Sequence, residues 1–283
     1  MNHSCSGGED SLPPPSDAPE SSAAGPAGST EGTQRAFLMT IAYNGANYFG
    51  WQLQPDHVTV QQVLEKTLSK LLKEPRVVVH GSSRTDTGVH ALAQRAVIRT
   101  VNWNAPADKL PFALNISLPQ DIVVREAVEV PLAFNPIKDS TGKRYRYQVY
   151  CSRKSDPIQS NTHWWVRRRV SVDAMRAAAH LLEGKHDFTS FQTNGSPRSS
   201  TVRTVRSLTV SAAPYMDGQL LTIEIEANGF LYNMVRNIVG TLVQVGVGRK
   251  PPEWIMEVIA AQDRSSAGAT APPHGLFLTE VLF

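Results

Sequence analysis

The sequence predicts an α+β fold made of two ferredoxin-like (split β-α-β) halves, with antiparallel sheets flanking a central cleft. Three observations predict it. Residues 36–138 alternate between β-prone runs and helical periodicities in the order β-α-β-β-α-β, the split pattern of ferredoxin-like sheets. Residues 139–283 use the same kinds of element in a related order, without a visible sequence repeat. A chain of 283 residues, 41% of them hydrophobic, has the size and core content of two modest domains.

Each element has its own justification. Residues 1–35 are Ser, Pro, Gly, Ala and acid, with no aromatic, and cannot bury enough apolar surface to offset their ordering entropy. They are expected to be a disordered tail, with neither the apolar core of a secretory signal nor the basic bias of a transit peptide. Ala36–Tyr43 is apolar and β-prone, hence a strand. Thr59–Leu72 carries Val60, Val63, Leu64, Leu68, Leu71 and Leu72 at helical spacing. Arg76–His80 and Ala93–Val101 read as strands, Pro106–Leu114 as a short helix with proline near its start, and Ile122–Val130 as a strand. The division between the halves, 36–138 and 139–283, is set near Asp139. Beyond it, Arg144–Cys151 alternates as a strand, and Val172–Leu182 is a helix ended by Gly184. Val202–Ala212 and Gln219–Ala227 form a hairpin, Gly229–Val247 a long helix, Glu253–Ala261 a shorter one, and Leu276–Leu282 the final strand.

Composition narrows the function. No apolar run approaches the roughly 20 residues of a membrane span. The most apolar stretch, 230–247, is interrupted by Asn233, Arg236 and Asn237. The two cysteines, Cys5 and Cys151, make no disulfide framework and point to a reducing, cytoplasmic setting. The eight histidines are scattered, with no Cys-x-x-Cys, so no metal site is expected. The formal charge of +3 divides into −4 over residues 1–35 and +7 over the remainder, a basic body compatible with nucleic acid.

Three segments carry chemistry. Gly81-Ser-Ser-Arg-Thr-Asp-Thr-Gly-Val-His90 follows a strand and holds a carboxylate, Asp86, near a cation, Arg84. A cation beside a carboxylate keeps it ionised, while the bland alternative is a tight turn in which Asp86 bonds its own backbone ahead of Gly88. In Lys143-Arg-Tyr-Arg-Tyr147 the tyrosines share one strand face and the arginines the other, suited to base stacking and phosphate contact or simply to a half-buried strand. In the segment 228–240, Arg236 is the only charge of a long apolar helix, which is costly unless the guanidinium is paired or faces a polar cleft.

Taken in order, these segments resemble the tRNA pseudouridine synthase A family from about Phe37 to Phe283. The resemblance rests on Tyr43-Asn-Gly, Phe49-Gly-Trp-Gln52, Arg84-Thr-Asp-Thr-Gly-Val-His90, Arg144-Tyr-Arg-Tyr147, His186-Asp-Phe-Thr-Ser-Phe191, Met234-Val-Arg-Asn-Ile238 and His274-Gly-Leu276. It implies isomerisation of uridine to pseudouridine in the anticodon arm of tRNA (positions 38–40), by a homodimer that binds tRNA across both subunits. It implies Asp86 as nucleophile, Arg84 as the loop arginine holding the flipped nucleotide, and Tyr145 as the tyrosine stacking on the target base. Arg236 is then the helix cation paired with the aspartate, and Leu276 an apolar residue of the pocket. Phe134-Asn-Pro-Ile-Lys138 departs from the family's Phe-x-Ala-Arg, which bears on substrate affinity rather than chemistry.

The implied reaction has no redox step and no energy input, so no cofactor is expected, in line with a sequence that shows no dinucleotide or P-loop glycine motif. Attack on the ribose and attack on the base are both compatible with these residues. Arg153, Lys154, Arg167, Arg168, Arg169, Arg198, Arg203 and Arg206 are candidate backbone contacts. Three other readings stand beside this one. They are an inactive RNA-binding relative, a pseudouridine synthase for another RNA, and a hydrolase that would use the Asp–Arg pair with His90 as general acid.

Overall fold

The computed structural model describes residues 33–193 and 200–283. Residues 1–32 of the expected tail lie outside them, while Arg35, assigned to the tail from sequence, opens the first strand. Strand β1 (Arg35–Tyr43) is fixed at its start by that residue, whose guanidinium donates to Glu129 at 2.6 and 2.8 Å and to the carbonyls of Trp103 and Ala105.

Helix α1 (Val60–Leu72) buries Val60, Leu64, Leu68 and Leu72, a spacing of four that places them on one stripe. The Thr59 hydroxyl accepts from the Gln62 amide at its start, and Lys73 ends it in the left-handed region at φ 53°. Strand β2 (His80–Gly81) is much shorter than the Arg76–His80 run predicted. The reason is local. The Val77 amide donates to Ser69 Oγ at 3.0 Å, and the Val79 amide to Glu65 Oε1 at 3.1 Å. Side chains of α1 have taken the bonds that a neighbouring strand would have made. Strand β3 (His90–Thr100), a helical turn at Ala107–Lys109 continued by α2 (Leu110–Asn115), and β4 (Ile122–Val130) complete the first half.

The second half contains β5 (Gly142–Cys151), β6 (Trp164–Val166), α3 (Val172–His180), β7 (Gly184–Asp187), β8 (Val202–Tyr215) and β9 (Gly218–Ala227), then α4 (Met234–Gly246), α5 (Trp254–Ala261) and β10 (Leu276–Leu282). Helix α4 begins five residues later than predicted. Asn233 before it sits in the left-handed region at φ 60°, which breaks the helical path between Gly229 and Met234.

The strands pair in the order β4-β1-β3-β10-β5-β9-β8-β7, with β2 on β3 and β6 on β5. Each half, taken by itself, follows one pattern: β4-β1-β3-β2 in the first and β10-β5-β9-β8 in the second, antiparallel throughout. The halves join where β10 runs parallel to β3, through His90↔Phe277 and Ala91↔Leu278. That junction lies directly after the loop that carries Asp86. Phe37, Met39 and Ile41 of β1 and Tyr145, Tyr147 and Val149 of β5 are buried in one apolar core.

Candidate active site

The loop between β2 and β3 is held on several sides. The Ser82 amide donates to the Arg95 carbonyl at 2.8 Å. Gln94 closes a ring with Ser83, its Oε1 accepting from the Ser83 amide at 3.2 Å and its Nε2 donating to the Ser83 carbonyl at 2.6 Å. The Thr85 carbonyl accepts from the Trp51 amide at 3.0 Å, and the Thr85 hydroxyl meets the Tyr43 phenol at 2.7 Å. Gly88 turns the chain at φ 77°, and the Val89 amide donates back to the Asp86 carbonyl at 3.1 Å. These bonds hold the backbone of Ser82, Ser83, Thr85 and Asp86, and the Asp86 carboxylate is directed out of its own turn. The self-bonded turn considered from sequence is not formed.

His90 closes the loop. Its Nδ1 accepts from the Gly45 amide at 3.0 Å, and its Nε2 faces the carbonyls of Asn161 and His274 at 2.8 and 3.0 Å. This fixes the neutral tautomer with hydrogen on Nε2. An imidazole committed at both nitrogens to backbone is not a free general acid, and the hydrolase reading loses its second group.

Asp86 faces a cleft of about 1200 Å³ lined by Trp51, Tyr145, Phe230 and Leu276, and by the cations Arg84, Lys143, Arg203 and Arg236. Among the described residues lining it, Asp86 is the only carboxylate. Arg236 Nη1 stands 3.6 Å from Asp86 Oδ2. The guanidinium is fixed by Nε donating to the Ala271 carbonyl at 2.7 Å and by Nη1 donating to Asn233 Oδ1 at 2.8 Å. Burial raises the Asp86 carboxyl above its ordinary value, and the positive charge of Arg236 pulls it part of the way back. The expected ionising effect of a cation is therefore present but smaller than the desolvation it opposes. The expected Arg84–Asp86 pair is absent. Arg84 is exposed and, among the described residues, has no ion pair within 4 Å. Two residues apart on a tight turn, the side chains diverge, and the cation comes from α4 instead.

Tyr145 is buried on β5. Its phenol shares a hydrogen bond with Ser83 Oγ at 2.9 Å, and its ring meets Phe230 edge to face at 5.0 Å. Burial pushes the phenol up to about 12, so it is a proton carrier at neutral pH and not an anion. Leu276 opens β10 opposite Tyr147 and lines the cleft beside Tyr145. The arginines of the same strand do not face it as phosphate contacts. Arg144 pairs with Glu226 and Glu280, each at 2.7 Å, and Arg146 with Glu224 at 3.1 Å. The two-residue period that puts the tyrosines inward puts these arginines onto a ladder of carboxylates. Of the other candidate backbone contacts, Arg203 lines the cleft, Arg206 bonds Glu226 and the Thr141 carbonyl, and Arg198 lies outside the described residues. Arg153, Lys154, Arg167, Arg168 and Arg169 are exposed.

The sequence reading gave Ser83 no role and set Asn233 inside the long helix, three residues before Arg236 on the same face; in the structure they bond the site's tyrosine and arginine.

The tRNA pseudouridine synthase family profile matches residues 39–137 and 178–283. The chain belongs to this family. Asp86, Arg84, Arg236 and Leu276 lie inside the matched segments and Tyr145 between them. The tRNA pseudouridine synthase A of Thermoanaerobacter sp. (strain X514) is 44% identical over 249 residues, 88% of this chain and 100% of that one. The Myxococcus xanthus protein of the same name is 45% identical over 246 residues, 87% of this chain and 91% of that one. A looser likeness to a solved Cbf5–Nop10–Gar1 complex (TM-score 0.31, 12% identity, 85% of this chain and 57% of that chain) is below the level from which fold or function can be argued.

Proposed function

We propose that this protein isomerises uridine to pseudouridine in tRNA, with Asp86 as the nucleophile. The observation that carries the reading is Asp86, the lone carboxylate among the described residues of a cleft that also presents four cations and several aromatic rings, held on a rigid turn against Arg236. Its relatives, tRNA pseudouridine synthases A, support tRNA as the substrate.

The reaction breaks the bond from ribose C1′ to base N1, turns the base, and joins C1′ to C5. The C5 proton leaves, a proton arrives at N1, and nothing is oxidised or reduced. The base must leave its stack to reach Asp86, and the Tyr145 ring beside Leu276 gives it an apolar wall to lie against. Arg236 favours the charged carboxylate that attack requires. Arg84, exposed at the cleft wall, would help hold the flipped nucleotide.

The same proposal includes the finer points implied by resemblance: uridines of the anticodon arm (positions 38–40) as targets and a homodimer carrying tRNA across both copies; it also includes a cytoplasmic setting and a division into two α+β domains near Asp139. Among the described residues no helix is long and apolar enough to cross a membrane. Asp86 and Tyr145 are both present, which favours an active enzyme over an inactive RNA-binding relative.

The test is tritium release from tRNA transcripts labelled at uridine C5, followed by mapping of the modified positions. Wild type is expected to release label from anticodon-arm uridines and Asp86→Asn to release none. Release by that variant, or none by wild type on any tRNA, would overturn the reading.

A further inference from the structure

Asn233 is oddly used for a residue at the start of a helix. An asparagine in that place ordinarily turns its carbonyl oxygen to a free amide of the first turn. Asn233 makes no such bond. Its backbone occupies the left-handed region at φ 60° and ψ 6°, which asparagine adopts more readily than other residues with a side chain. The side chain is spent on two other partners. Oδ1 accepts from Arg236 Nη1 at 2.8 Å, and Nδ2 donates to Thr193 Oγ1 at 3.2 Å.

The nitrogen that Asn233 holds is also the one nearest Asp86. Arg236 Nη1 lies 3.6 Å from Asp86 Oδ2, beyond hydrogen-bond length, while it lies at 2.8 Å from the neutral amide oxygen. A full carboxylate attracts a guanidinium more strongly than an amide does. The longer distance to the stronger acceptor means that the guanidinium is anchored, and its anchors are Asn233 and the Ala271 carbonyl.

We propose that Asn233 is a positioning residue that holds Arg236 off Asp86, giving the carboxylate a nearby positive charge without a closed guanidinium–carboxylate pair. This rests on the reading of Asp86 as the nucleophile. A nucleophile needs its charge but also an uncommitted lone pair, and a closed bidentate pair with arginine would supply the first at the expense of the second.

Two substitutions separate this role from a structural one. Asn233→Gly keeps the left-handed backbone, which glycine adopts without strain, and removes the amide. Arg236 Nη1 then closes on Asp86, so the acid limb of the single-turnover pH profile moves to lower pH. Asn233→Asp places a carboxylate where the amide stood and captures the guanidinium. Asp86 then loses its cation to a new anion, and the acid limb moves to higher pH. The single-turnover rate at the optimum falls about 10- to 100-fold in both, the size of effect that a misplaced reacting group produces.

The other charged or titratable groups lining the cleft are Arg84, Lys143, Arg203, His80, Tyr145 and Tyr232, and Tyr147 of β5 and His274 just before β10 also act on Arg236. All are common to the three proteins, so none can displace the limb in opposite directions. Displacements of opposite sign, with unchanged far-ultraviolet dichroism and melting within a few degrees of wild type, would establish the role. A limb that stays in place, or moves the same way in both variants, would overturn it. Asp86→Asn is assayed in parallel: turnover there would sink the nucleophile reading itself, whatever the Asn233 variants do.

Discussion

Gly50 lies so close to the carbonyl of Thr85 that a Cβ at position 50 would stand 2.5 Å from the Thr85 oxygen, and the Trp51 amide donates to that same oxygen at 3.0 Å. This contact seats the Asp86 loop on the segment leading into α1. Gly50 also has φ of +80°, so a side chain there is strained whatever space it finds. Gly50→Ala is expected to destabilise by about 1–3 kcal/mol, the range for an incompatible backbone substitution combined with a steric clash. Catalysis should suffer beyond stability, because the displaced atom belongs to the residue next to Asp86. A melting temperature and a kcat both equal to wild type would show that the contact does not matter.

Asp86→Asn has an expected stability effect opposite to its effect on activity. The carboxyl is raised in the fold, with burial as the larger cause and Arg236 opposing it. A raised acid contributes its stability below the unfolded value of 3.8 and loses it as pH rises through the folded value. At neutral pH the charged group is therefore a net cost, and asparagine resembles the protonated form. The variant should be inactive yet melt at or above the wild-type temperature at pH 7, with the gain shrinking as pH falls toward 4. A lower melting temperature at pH 7 would mean that the Arg236 contact outweighs the desolvation.

Much of this was legible in the residues, for reasons that also explain the rest. Helix α1 and strands β4, β5 and β10 follow periodicities set by burial, and burial is what hydrophobic patterning records. The Asp86 loop was legible because its composition is unusual for a mere turn. Three features were not. The parallel contact of β3 with β10 joins residues far apart in sequence, and no local pattern encodes such a pairing. The start of α4 was hidden because apolar residues continue through Phe230 and Leu231 although Asn233 breaks the helix. The charge partner was divided in the reading: proximity in sequence favoured Arg84 for Asp86, the family resemblance implied Arg236, and among the described residues the fold brings Arg236 alone. Likewise Arg144 and Arg146 read as free cations until β9 and β10 supply Glu224, Glu226 and Glu280.

Tyr145 separates ring from hydroxyl. Tyr145→Phe keeps the edge contact with Phe230 but removes the bond to Ser83 Oγ at 2.9 Å. Base stacking on an aromatic contributes roughly 1–3 kcal/mol, and phenylalanine retains it. With its phenol pushed up to about 12, Tyr145 holds its proton at neutral pH and can take part in proton movement on the base. The Phe variant is expected to bind tRNA normally and lose single-turnover rate, and Tyr145→Leu to lose both. A Phe variant as fast as wild type would leave stacking as the sole role. A Leu variant as fast as wild type would make Tyr145 an ordinary core residue.

Three imidazoles make the fold sensitive to mild acid. His90, His163 and His274 are all lowered from 6.5, with burial the first cause in each. A lowered base takes up a proton in the unfolded chain before it does so in the folded one. Stability is therefore complete above about pH 6.5 and is lost as pH falls below it, toward the folded values. His163 is the clearest case. It is 2% exposed, its Nε2 has no partner among the described residues, and its ring meets Tyr150 edge to face at 5.3 Å. Asp156 is the nearby carboxylate that would favour its charge, and His274 the nearby imidazole that opposes it. Asp156 is itself lowered from 3.8, so its own contribution is lost only in stronger acid, outside this window. His163→Phe keeps an aromatic ring against Tyr150 and removes the titration. Its melting temperature should fall less than that of wild type between pH 7 and pH 5, whichever protein is more stable at pH 7. Parallel curves for the two proteins would place the acid sensitivity elsewhere, with His90 the next candidate because protonation of its Nδ1 breaks the bond from the Gly45 amide.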